Sequence, residues 1–80
     1  MEKEEIFEVV VKHIRTVIPS LEDHAIQPED KLKELGADSL DRTEILDMAM
    51  GSISLDVPRV EVYGAKDIGE LVDVLHRAAS

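Results

Sequence analysis

The sequence predicts an all-α fold: a small four-helix bundle, three main helices plus one short helix, with a long first loop. Three observations predict it. Apolar residues recur at helical intervals near both ends of the chain and again in its middle, so each segment has one face to bury. Pro19, Pro28, Gly36 and Pro58 fall between those segments. The β-branched residues Val57, Val60 and Val62 have no second edge in the chain with which a strand would pair. Eighty residues make one domain, 1–80, with a modest and almost purely aliphatic core, because Phe7 and Tyr63 are the only aromatics.

The first helix is expected from Glu2 to about Val17. Ile6, Val9, Val10, His13, Ile14 and Val17 form its inner face, and Glu4, Glu5, Glu8, Lys12 and Arg15 mostly take the other side. Pro19 stops it, since proline disfavours helical geometry in the residue before it. From Ser20 to Asp38 periodicity is lost. Leu21, Ile26, Leu32 and Leu35 are isolated anchors that pin a long loop, with a short helical turn expected at Pro28 to Leu35 and a sharp bend at Gly36.

A second helix should run from Ser39 to about Met50, with Leu40, Ile45, Met48, Ala49 and Ile53 facing inward and Gly51-Ser52 closing it. Asp38, Asp41, Glu44 and Asp47 recur every three residues and place an acidic stripe on its exposed side. Ser54 to Pro58 is a connector with two apolar plugs, and a short third helix is expected around Pro58 to Val62. Asp67 with Glu70 three residues on forms a capping-box pattern, and Ile68, Leu71, Val72, Leu75 and Ala78 make the apolar face of the last helix.

Charge excludes several function classes. Eighteen acidic against nine basic residues give a net charge of −9, which repels nucleic-acid backbones and steers the protein towards basic patches on partners. There is no cysteine, so no disulfide or thiolate chemistry belongs to the chain itself. The charged start Met1 to Glu5 lacks the basic and apolar stretches of a secretory signal. No apolar run approaches the roughly 20 residues of a membrane span. A cytoplasmic monomer that binds neither nucleic acid nor membrane is expected.

The chemical centre is Leu35-Gly36-Ala37-Asp38-Ser39-Leu40-Asp41. A serine that opens a helix sits where backbone N–H groups point outward and the macrodipole is positive, a setting that favours an anionic group on its hydroxyl. Gly36 and Ala37 leave room for another protein to approach. Asp38-Ser39 is also ordinary capping chemistry, and taken alone it would describe a helical interaction module. A calcium loop of the EF-hand type has no matching window, and His13, His24 and His76 are too scattered for a helical ligand pair. No nucleophile–base order, phosphate loop or paired-carboxylate site stands out, so the chain is not expected to be an enzyme.

Context across the chain decides between these readings. The segment LGADSLDRTE, Leu35 to Glu44, closely resembles the phosphopantetheine attachment motif of acyl carrier proteins. The likeness extends to Asp30-Lys31-Leu32, to Val57-Pro58 and to the last helix. It implies that Ser39 bears 4′-phosphopantetheine and that the chain carries acyl groups as thioesters. It also implies that Asp38, Leu40, Asp41 and Glu44 are read by partner enzymes, including the phosphopantetheinyl transferase, with Asp47 extending the acidic face. The chain departs from fatty-acid carriers at Met48-Ala49-Met50-Gly51, where those are usually acidic, and at Arg42, a cation beside the attachment site that is expected to take part in recognition.

The stretch Val57 to Leu71 resembles freestanding carriers of polyketide β-branching cassettes. That resemblance implies a carrier that receives malonyl from an acyltransferase and holds acetyl after a decarboxylating ketosynthase has acted. It would then serve an HMG-CoA-synthase-like enzyme. Ordinary chain extension in polyketide or fatty-acid synthesis is the alternative within the family.

Overall fold

A computed structural model describes residues 2–53 and 59–79. Its elements are α1 (Lys3–Val17), a single 3₁₀ turn (Pro19–Leu21), α2 (Ser39–Ser52), α3 (Arg59–Tyr63) and α4 (Ile68–Ala79). No strand occurs among the described residues, so the expected bundle of three main helices and one short one is what forms. α1 packs against both α2 and α4, and α3 packs against α4.

Aliphatic burial holds these elements together. Ile6, Val10 and Ile14 of α1 meet Ile45, Leu46 and Ala49 of α2 and the α4 row Ile68, Leu71, Val72 and Leu75 in one cluster. Removing any of the large members would cost about 2–5 kcal/mol, a large share of a small domain's stability. The inner faces differ in part from those the periodicity predicts. Val11 joins the core, whereas Val9 and His13 are only half-buried. Leu46 is buried, Met48 is half-buried, and Leu40 projects outward. Ala78 is exposed as well, one turn beyond the last buried residue of α4. α2 also continues through Gly51 and Ser52 instead of ending there, and Ile53 forms its cap.

The long first loop is held by its backbone as much as by its leucines. Ile26 is buried, and Leu21, Leu32 and Leu35 pack partly against the core. The helical turn expected from Pro28 is shorter and later. It closes with Leu35 N–H donating to Lys31 O and Ala37 N–H donating to Leu32 O, at 3.1 and 3.0 Å. Gly36 makes the bend with φ +98°, a conformation that costs an L side chain about 1–2 kcal/mol. The third helix starts at Arg59; the connector Ser54 to Pro58 and its two plugs lie outside the described residues.

Candidate functional site

α2 begins where the loop ends, and its first turn is built by two aspartates. Asp41 N–H donates to Asp38 Oδ1 at 2.9 Å, and Asp38 N–H reaches Asp41 Oδ2 at 3.4 Å. This reciprocal cap puts Ser39 at the first helical position, exposed to solvent. Its hydroxyl has no hydrogen-bond partner among the described residues. Its carbonyl is engaged instead: Thr43 Oγ1 donates to Ser39 O at 2.9 Å, and the Tyr63 hydroxyl donates to Thr43 Oγ1 at 2.9 Å. Tyr63 of α3 is thereby tied to the first turn of α2, while the Ser39 oxygen stays available.

Ser39 also lines a cleft of about 520 Å³ whose walls come from the loop, α2, α3 and the start of α4. Leu32, Leu46, Val62, Ile68 and Leu71 form its apolar floor, and Thr43 and Tyr63 bring their hydroxyls to its wall. Ala37, just before the cap, is buried, and its N–H donates back to Leu32 O within the loop at 3.0 Å.

The residues singled out in the sequence distribute over two surfaces. Asp38, Glu44 and Asp47 are exposed along α2, whereas Asp41 is half-buried and drawn into the cap. Arg42 is half-buried and lines the cleft. Leu40, expected to face inward, is 78% exposed because Ser39 and Leu40 belong to a first turn that nothing described covers. The other large exposed apolar residues among those described are Val60 and Tyr63, both on α3. Sequence reading missed these two as surface residues; their spacing of three on a one-turn helix was the available signal. It also missed Thr43, whose position four residues after Ser39 places its hydroxyl over the Ser39 carbonyl.

An exposed hydroxyl at a helix start, with neither it nor the N–H groups around it partnered among the described residues, and a cleft beside it, fits covalent attachment of an anionic arm. The comparisons agree with that geometry. Residues 8–75 match the family described as the phosphopantetheine attachment site. The chain belongs to that family, the acyl carrier proteins, whose prosthetic group is 4′-phosphopantetheine. It is 51% identical over 76 residues to the polyketide biosynthesis acyl-carrier-protein AcpK of Bacillus subtilis (strain 168), covering 95% of this chain and 93% of that one. Its fold matches a chain from the crystal structure of the curacin biosynthetic pathway HMG synthase in complex with acetyl donor-ACP. The TM-score is 0.90, with 46% identity and 100% of both chains covered.

Proposed function

We propose that this chain is the malonyl and acetyl donor carrier of a polyketide β-branching cassette, with 4′-phosphopantetheine borne on Ser39. The single observation that carries the attachment site is the Ser39 hydroxyl, exposed at the first position of α2 and without a hydrogen-bond partner among the described residues. The likeness along the full chain to the acetyl donor-ACP supports the donor role. The thiol of the prosthetic group supplies the thioester chemistry. The chain's own residues orient and present it. Asp38 and Asp41 hold Ser39 at the helix start, and Tyr63 of α3 braces the same turn through the Thr43 hydroxyl. Leu40, Val60 and Tyr63 offer apolar contact, and Glu44 and Asp47 offer charge, to a transferase, an acyltransferase, a decarboxylating ketosynthase and an HMG-CoA-synthase-like enzyme. Exposed charges of this kind contribute little each, under about 1 kcal/mol, which suits brief exchange between partners.

The test is a mass measurement. Incubated with coenzyme A and a broad-specificity phosphopantetheinyl transferase, the protein should gain one phosphopantetheine, and Ser39→Ala should gain none while unfolding at the same denaturant concentration. An unchanged mass for the native chain, where a control carrier is modified, would reject attachment. For the donor role, the malonyl-loaded protein should serve the decarboxylase and the HMG-synthase-like enzyme in preference to chain-extending ketosynthases; the reverse preference would defeat it.

A further inference from the structure

Four of the chain's nine lysines and arginines meet at one cleft. Lys31 and Lys33 come from the first loop, Arg42 from α2 and Lys66 from the turn before α4. Among the described residues of the lining Asp67 is the one carboxylate, and its Oδ1 already accepts the Glu70 N–H at 2.8 Å. None of the four cations is ion-paired with a carboxylate among the described residues. In a chain of net charge −9, attraction would spread cations among the many carboxylates, and bringing four together costs mutual repulsion that an anion would relieve.

Ser39 lines the same cleft. Arg42 follows it by three residues and so shares its side of α2. A guanidinium presents planar donors that match the oxygens of a phosphate or carboxylate. The same lining includes Leu46, Val62, Ile68 and Leu71, apolar surface suited to the carbon chain that would connect such an anion to its thioester. At about 520 Å³ the cleft has the size of a small-molecule site.

We propose that this cleft binds an oxyanion of the arm borne on Ser39, supplied by its phosphodiester or by a carboxylate ending its acyl cargo, and so holds the arm against α2 and α3. The proposal rests on the carrier reading above. The test compares amide spectra of the ¹⁵N-labelled full chain in four forms, each verified by mass: apo, free-thiol holo, propionyl and malonyl. Propionyl and malonyl have equal carbon count and differ in the terminal charge. The same forms are prepared from Lys33→Gln/Arg42→Gln/Lys66→Gln and, to leave half-buried Arg42 intact, from Lys31→Gln/Lys33→Gln/Lys66→Gln.

The amides of Val62 and Ala65, remote in sequence from the attachment point, should shift in the native chain. The shift should be lost in the first variant and reduced in the second. A cation-dependent shift already present on going from apo to holo identifies the phosphodiester as the ligand. One that appears only between propionyl and malonyl identifies the cargo carboxylate. Identical shifts in native and variant proteins, or no shift in any form, would overturn the proposal. Failure of the native chain to load would show in the mass before any spectrum and would remove the carrier reading together with this one.

Discussion

α2 and α4 begin with the same local chemistry and put it to opposite uses. Each is capped by an aspartate whose Oδ1 accepts the N–H three residues on, Asp38 from Asp41 at 2.9 Å and Asp67 from Glu70 at 2.8 Å. At α4 the next two positions are closed over by the first loop: Ile68 N–H donates to Asp30 O at 3.0 Å and Gly69 N–H to Pro28 O at 2.8 Å. Ile68 is itself in the core. At α2 the equivalent positions are Ser39 and Leu40, both exposed, and their N–H groups meet no acceptor among the described residues. A helix start leaves several donors unsatisfied, and the fold decides whether chain or solvent and ligand receive them. One start holds the bundle together; the other is left open where the phosphopantetheine arm is proposed to attach.

That contrast can be broken by substitution at matched positions. The largest effect is expected at the first helical residue. Ile68→Ala should lower unfolding free energy by about 2–5 kcal/mol in urea titration, while Ser39→Ala should stay within about 0.5 kcal/mol of the native chain. Comparable losses at both sites would show that the α2 start is also structural.

The second position should show a smaller difference. A Cβ on Gly69 would lie 3.3 Å from both Pro28 Cβ and Pro28 O, so a branched side chain must push the loop away. Gly69→Val should therefore cost about 1–3 kcal/mol, against about 0.5 kcal/mol or less for Leu40→Ala. The caps themselves should be nearly equivalent, with Asp38→Ala and Asp67→Ala each costing about 1 kcal/mol. A markedly smaller loss at Asp67 would mean that the loop carbonyls suffice to hold α4.

The smallest effect lies at the far end of α2, where His13 Nε2 and Ser52 Oγ approach to 2.7 Å and join α1 to α2. Partial burial, with the neighbouring Lys12 charge second, lowers the His13 pKa below its ordinary 6.5. The unfolded chain then binds a proton more readily than the folded one. Stability should fall as pH drops through 6.5 towards the lower folded value, and level off below it. A His13→Gln variant should lose that part of the pH dependence in denaturation midpoints; an unchanged profile would place its origin elsewhere.

Much of this was legible in the residues. The apolar periods of α1 and α4, the Asp67–Glu70 cap, the bend at Gly36 and the exposed acids Glu44 and Asp47 follow from local spacing, because those features depend on neighbours within a turn. α2 was harder to read. Its apolar residues do not form one clean stripe, so spacing sent Leu40 inward and left out Leu46, and only packing against α1 settled which side was covered.

Local sequence by itself therefore determined the helices, their caps, the aliphatic core and the serine at the head of α2, since each is set by backbone geometry and short-range side-chain pattern. Tertiary structure alone decided that one helix start is roofed by a loop and the other is covered by none of the described residues. It also gathered Lys31, Lys33, Arg42 and Lys66 around the cleft beside Ser39. The physical reason is that burial and electrostatic fields are properties of what lies close in space, and these groups come from separate segments that meet only once the bundle has closed.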